Sequence, residues 1–455
     1  MMNPAHYWER FQSVFNGAAF FLVIATALFQ IFLHPVTPLL WLAIFTVFAA
    51  VNARRIRLSG LFLLGTALAI AGALLALGQF PREAGIAQAS LLFSLLLLVQ
   101  YLGRMAEASE DVARGAQMIV SRPPGQRYAF LTIGTHILCI FLHMGGMLFV
   151  MTLLSLRQKT EDPETIRALA LSAMRGFAAT ALWSPLSLSV VVILSGVTGV
   201  SYLQLAPIGF AATVAFLFTG YLMERRRRAS MAVPMRLTRE EWHIVLRLIA
   251  PVLLLIAAVM TSVSVFGLRL IEGVFSASLV MGGLWTLTLA ARRLLDRRNL
   301  LRAASTVTAS VTNEVVIICS AVAIGTLAAS ALMDSGQFSQ GLGPREAVLA
   351  AGLVPLLIVA GGVVALNPLV MVTLLAGTLN AIWPEEAKLW LALTLSWGWA
   401  AATCGTPLTA NMLLAAQRLK VSPYTMAFAW NGRFTLLTTG AGIVILVLGT
   451  WISLR

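Results

Sequence analysis

The chain has 455 residues, 59% of them hydrophobic and 11% charged, with a mean hydropathy of +0.87. That composition excludes a water-soluble protein, and apolar runs of roughly twenty residues, each enough to cross about 30 Å of hydrocarbon, recur from end to end. The formal charge of +14 comes from arginines in short stretches between those runs, so it reads as positive-inside topology and excludes a nucleic-acid surface as its first explanation.

The first apolar run, 17–33, follows the polar residues Glu9, Arg10 and Gln12 and precedes no clear small-residue cleavage site. It is expected to be a retained helix and not a signal peptide. Further spans are expected at 38–53, 58–80, 86–103, 168–196, 203–223, 248–266, 273–291, 303–333, 388–417 and 424–452, about eleven in all. Two segments, 128–156 and 345–381, are too long for one crossing and too short for two with a turn. Each has a soft centre: His143-Met144-Gly145-Gly146 in the first, Gly361-Gly362 and then Asn367-Pro368 in the second. They fit re-entrant hairpins, which survive at membrane depth only when buried in protein or facing water. Cys139, Cys319 and Cys404 lie inside apolar runs as small hydrophobes, with no disulfide or metal-ligand spacing, and no metal or cofactor is expected.

Charge placement orients the spans. The stretch 224–247, with Arg225 to Arg228, Arg236, Arg239 and Arg247, belongs in the cytoplasm, as do Arg54, Arg55 and Arg57 and the group Arg292 to Arg302. The opposite loops are nearly balanced, as in Arg82 with Glu83 and Arg269 with Glu272. The alternation holds only if both odd segments return to the side they entered. The expected organisation is an extra helix in 1–37, a first repeat at 38–223 (hairpin 128–156, broken helix 168–196), a cytoplasmic basic linker at 224–247, and a second repeat at 248–455 (hairpin 345–381, broken helix 388–417). The second repeat starts from the opposite face, so the two are inverted, with the N-terminus cytoplasmic and the C-terminus periplasmic.

A motif repeats within this frame. GFAATALWSPLS at 176–187 is answered by GWAAATCGTPLT at 398–409 at a spacing of 222, and LFVMTLLS at 148–155 by LVMVTLLA at 369–376 at 221. Pro185 and Pro407 each remove an amide donor and clash with the carbonyl one turn earlier, which breaks a helix. Ser184, Ser187 and Ser189 in the first copy, and Thr403, Thr406, Thr409 and Asn411 in the second, offer partners for the freed backbone. The same groups and half-helix ends suit Na⁺ or the oxygens of a small anion. A proline kink satisfied by its own hydroxyls is the plainer reading of either copy alone. Paired breaks in two halves point to a transport site.

Four further residues carry chemistry. Asn367-Pro368 ends a helix where the amide can face the partner repeat's break. His143 stands at the other hairpin centre, either to couple protons or to be hydrogen-bonded in a packed bundle, an ambiguity His136 shares. Glu314, about a dozen residues into span 303–333, is a proton or cation site or the partner of an arginine across a subunit contact. Arg175, at the place Trp397 holds before the second motif, either binds a carboxylate or snorkels to the interface.

Two units, each with a hairpin followed by a broken helix centred on Ser/Thr-Pro, resemble the ion transporter superfamily, which includes divalent-anion/sodium symporters, tripartite carboxylate transporter large subunits and arsenite or sodium/proton antiporters. The resemblance covers most of the chain in architecture and short stretches in motif. The second tip carries the family's Asn-Pro element as Asn367-Pro368, while the first, His143-Met144-Gly145-Gly146, departs from it. It implies an elevator-type carrier, commonly a homodimer, with hairpins and broken helices moving against a scaffold that includes helices 38–103 and 248–333. The expectation is an all-α inner-membrane secondary transporter in contact with the lipid bilayer, coupled to H⁺ or Na⁺ and moving a small organic anion such as a carboxylate. Cation/proton antiport, inorganic oxyanion transport, and a non-transporting membrane component of an envelope or multi-subunit system are the alternatives. No Walker or HExxH sequence is present, so ATP-driven pumping and intramembrane metalloproteolysis have no support, and no enzymatic activity is expected.

Overall fold

The computed structural model describes residues 4–33, 37–76, 83–107, 110–121, 126–227, 238–291, 297–334 and 341–455, and every regular element among them is helical. The chain opens with α1 (Pro4–Phe32), α2 (Pro38–Val51), α3 (Leu58–Ala76) and α4 (Glu83–Glu107). Then come α5 (Glu110–Val120), α6 (Arg127–Leu142), α7 (Met144–Arg157), α8 (Pro163–Ala178), α9 (Leu188–Gly196), α10 (Tyr202–Arg227) and α11 (Arg239–Ser264). The remainder is α12 (Leu270–Ala291), α13 (Arg297–Ser310), α14 (Thr312–Asp334), α15 (Pro344–Val363), α16 (Pro368–Leu379), α17 (Lys388–Gly405), α18 (Ala410–Leu419) and α19 (Gly432–Ser453). Among the described residues nine helices are long and apolar enough to cross a membrane, which makes this a multi-pass membrane protein.

The chain divides into two compact units that do not follow its halves: Met1–Met105 with Ala258–Phe338, and Ala106–Ala257 with Ser339–Arg455. The first is fastened by side-chain amides, as expected where lipid removes the hydrophobic drive between helices. Asn16 and Asn52 exchange hydrogen bonds at 3.1 and 2.8 Å, Gln12 donates to the Val51 carbonyl at 2.7 Å, and Trp41 donates to Gln30 at 2.9 Å. Asn313 accepts from the Arg57 amide at 2.9 Å.

Several boundaries differ from the sequence expectation. The N-terminal helix starts at Pro4, well before 17, and α2 has 14 residues, about 21 Å at 1.5 Å per residue, short of the hydrocarbon thickness. Span 303–333 is two helices parted at Val311, where Thr308 and Thr312 bond back to carbonyls one turn earlier. The arginine-bearing stretch around 114 holds the amphipathic α5, which buries Ala116, Ile119 and Val120 and leaves Arg114 outward. The first residues of the basic linker are helical, since α10 runs through Arg227; residues 228–237 lie outside the described residues.

The second unit is built twice. α6 folds back into α7 at His143, φ 48°, and α15 folds back into α16 around Ala365, φ 68°; the two joints are 222 residues apart. Gly146 returns against Cys139 and Gly361 sits against Met371, so both pairs are closed helical hairpins. A helix then breaks: α8 passes through a 3₁₀ turn at Ala179–Leu182 to an irregular stretch before α9, and α17 stops at Gly405 before α18. Pro185 and Pro407 lie in those interruptions, as their missing amides require. α10 and α19 close the two repeats.

The motif glycine marks the same crossing in each. A Cβ on Gly176 would meet the Thr132 carbonyl and His136 amide of α6, and one on Gly398 would meet Pro355 and Ile358 of α15. The repeats also interlock crosswise, with α7 against α18 and α16 against α9. Gln158 donates to the Leu419 carbonyl at 2.8 Å, and Asn380, its equivalent 222 residues on, accepts from the Thr198 amide at 3.0 Å. Within the first repeat, Arg167 of α8 holds Glu224 of α10 at 3.1 Å, both nearly enclosed, and Glu164 at 2.8 Å on the exposed side.

Gly176→Val and Gly398→Val are each expected to cost about 1–3 kcal/mol by overpacking, whereas Gly65→Val and Gly72→Val, with open space around them, cost well under that. Thermal unfolding of the detergent-solubilised protein separates the pairs. In the same assay Glu224→Leu leaves buried arginine charge uncompensated and costs about 3–5 kcal/mol, against about 0–1 kcal/mol for Glu164→Ala at the exposed pair.

Candidate functional site: two paired helix breaks

A helix broken inside a bundle leaves carbonyls and amides that need partners, and both breaks can be followed atom by atom. In the first, the Ser184 amide bonds the Thr180 carbonyl at 3.1 Å and the Ser187 amide bonds the Ser184 carbonyl at 3.0 Å, forming a tight turn around Pro185. The Ser189 hydroxyl reaches back to the Ala181 carbonyl at 3.5 Å, and Tyr202 donates to the Trp183 carbonyl at 2.9 Å. In the second, Thr406 donates to the Ala402 carbonyl through its hydroxyl at 2.8 Å, and Asn411 donates to the Thr403 carbonyl. Thr409 donates to the Thr406 carbonyl at 3.3 Å. Ser189 and Asn411, like Ala181 and Thr403, stand 222 apart, so the back-bond across the break is itself duplicated.

The carbonyl side of each break is therefore largely satisfied, and the amide side is not. Ser187 and Thr409 are the N-caps of α9 and α18, and neither side chain caps an amide of its helix. The Ser187 hydroxyl turns to Ser189 at 2.7 Å and that of Thr409 to a carbonyl. Two positive helix ends thus lie at the breaks without a bond from their own N-cap side chains. Ser184 adds a fully enclosed hydroxyl that has no partner.

The remaining sequence candidates fall in several places. Asn367 starts α16 as its N-cap, accepting from the Leu369 amide at 3.0 Å with Pro368 at the first helical position. The second hairpin meets a break at Gly362, pressed against Thr406 of the same repeat. His143 occupies the α6–α7 joint with its Nε2 buried and unpartnered. His136 uses both ring nitrogens, one on the Gly176 carbonyl at 2.9 Å and the other on the Trp183 indole at 3.1 Å, so it ties α6 to α8 and to the interruption that follows it. Glu314 lies in the other compact unit and in the first turn of α14, not a dozen residues into a helix, because the span parts at Val311; its Oε2 is buried and unpartnered.

Arg175 is 1% exposed, so it does not snorkel. Its guanidinium bonds the Asn431 side-chain oxygen at 3.0 Å and the Tyr128 hydroxyl at 2.7 Å, lies 3.8 Å from Glu224 and stacks 4.1 Å over Phe434. Asn431, which the sequence reading passed over, donates in turn to the Cys404 carbonyl at 2.7 Å. It follows a π-helical turn, Thr425–Trp430, of the kind that often marks functional positions. A signal was present: Asn431 stands 222 residues after Gly209, which packs against the Leu182 carbonyl as Asn431 binds that of Cys404.

No family model and no curated protein sequence matches the chain. Among solved structures it is similar to the YdaH transporter of Alcanivorax borkumensis, with a TM-score of 0.53 and 17% identity over 79% of this chain and 84% of that one. It is also similar to Neisseria gonorrhoeae MtrF, of a class of antimetabolite efflux pumps, with a TM-score of 0.53 and 12% identity over 78% of this chain and 80% of that one. At these identities the likeness establishes a shared fold.

Proposed function

We propose that the protein is a secondary carrier, coupled to H⁺ or Na⁺, that moves a small organic anion such as a carboxylate across the inner membrane by alternating access. The observation that carries this reading is the duplicated break with its carbonyls bonded internally and the first-turn amides of α9 and α18 left without a side-chain cap. That polarity favours a carboxylate or similar oxyanion over a bare cation. Ser184, Ser187, Thr406, Thr409 and Asn411 line the breaks, Pro185 and Pro407 create them, and Asn367 with Pro368 sets the second hairpin beside them. The shared fold supports transport, since YdaH is a transporter and MtrF belongs to a class of efflux pumps.

The compact unit holding hairpins and breaks would be the moving body of an elevator, the other unit its scaffold, and a homodimer the working form. The division into two compact units supports this, as does a repeat order that suits inverted halves of an ion-transporter-superfamily carrier. His143, with an unpartnered Nε2, is the candidate for proton coupling. A second reading, cation/proton antiport, is favoured by one observation, the buried and unpartnered Oε2 of Glu314.

Proteoliposomes under imposed Na⁺ and H⁺ gradients decide between these. Flux of a carboxylate panel is expected to follow one gradient, while gradient collapse without organic solute, abolished by Glu314→Gln, establishes antiport. Pro407→Ala and Asn367→Ala are each expected to cut flux about tenfold or more while the protein still elutes as one species, and unchanged flux refutes the site. Alkaline phosphatase fused after Arg455 is expected to be active in cells, and an inactive fusion overturns the topology.

A further inference from the structure

The two repeats differ most where they touch each other. Arg175 occupies the position of Trp397, and each packs on the glycine 45 residues further along, Gly220 or Gly442. Trp397 donates within its own repeat, to the Thr438 carbonyl at 3.2 Å, and meets the first repeat through its ring edge against Phe216. Arg175 instead reaches across to Asn431 in the second repeat, whose equivalent in the first is Gly209. The Asn431 amide has only one orientation available, because a guanidinium can only donate and a carbonyl can only accept. Its oxygen must face Arg175 at 3.0 Å and its nitrogen must face the Cys404 carbonyl at 2.7 Å.

That carbonyl belongs to the last turn of α17, the negative end of the half-helix that runs into the second break. Arg175 lies 3.8 Å from Glu224, a carboxylate held closer by Arg167 at 3.1 Å, and Arg167 pairs with Glu164 as well at 2.8 Å. We propose that Arg175, acting through Asn431, is a positioning residue of the second break: it holds the Cys404 carbonyl out of the break, so that the break keeps its amide character, and so sets the preference for an anionic substrate. This inference rests on the carrier reading given above. The first break has no such strut, so the two breaks are unequal, and the second is the one that selects by charge.

Cys404 supplies a probe that needs no substrate. In a chain whose Cys139 and Cys319 are alanine, alkylation of Cys404 by N-ethylmaleimide in detergent reads how firmly the end of α17 is held. Asn431→Asp keeps the size and the bond to Arg175 but loses the donor to Cys404, and is expected to speed alkylation about tenfold. Arg175→Met is expected to do the same and Arg175→Lys to restore part of the protection. Unchanged alkylation in Asn431→Asp and in Arg175→Met overturns the strut, and the methionine variant decides alone if the aspartate variant does not fold. Where the parent transports a carboxylate, Asn431→Asp is expected to raise KM about tenfold with maximal rate nearly kept. A fall in maximal rate at constant KM, or in thermal stability alone, assigns Arg175 to packing and overturns its role in selection. A parent with no carboxylate flux refutes the carrier reading, and the alkylation rates still decide the strut.

Discussion

The constraint on which the second unit depends is that backbone polar groups inside a membrane need partners within the protein. A continuous helix meets it without help. A helix broken by Pro185 or Pro407 does not, and the surrounding architecture can be read as the supply of substitutes. The hydroxyl of Ser189, the amides of Asn411 and Asn431, and the phenol of Tyr202 each take a carbonyl that the break released. Because the donors come from α9, α18, α10 and the start of α19, the breaks hold those helices in register as much as the helices hold the breaks. What the substitutes leave over is on the amide side, where neither N-cap side chain, Ser187 or Thr409, bonds its helix.

What could be read from the chain depended on how local its cause was. The helix breaks were legible because a proline acts on its own turn, and the fold-backs at His143 and Ala365 were legible because long apolar segments with soft centres have few alternatives. The 222-residue spacing gave the equivalence of the two halves before any coordinates. The parting of α13 from α14 was not legible, since residues 303–320 hold neither a proline nor a glycine to mark it. Nor was Glu224, which reads as part of a basic run until α10 carries it inward to two arginines. α5 was missed because eleven residues with several charges carry no membrane signal, although its apolar face has helical spacing.

Near-symmetry and its local failures carry different information. Positions that agree across the repeat, such as Gly176 with Gly398, Gly220 with Gly442, and Gln158 with Asn380, fix the scaffolding of a pair of breaks. Positions that disagree, Arg175 against Trp397 and Asn431 against Gly209, give that pair a direction. Two pseudo-symmetric breaks stay equivalent unless something breaks the symmetry, and here a charge and an amide do so from the interior.

The crosswise packing of hairpins and half-helices also constrains how the molecule is made. The partners of α7 and α9 are synthesised long after them: Gln158 waits for Leu419, 261 residues later, and Thr198 for Asn380, 182 residues later. The first repeat therefore leaves the ribosome with its hairpin and half-helix unmatched, and the unit closes only when the second repeat has been threaded between them. Long-range closure of this kind is slow and leaves polar backbone exposed in the interim. The biogenesis of this chain is thus a problem of storage, in which an unfinished half must be kept inserted and uncollapsed until its complement arrives.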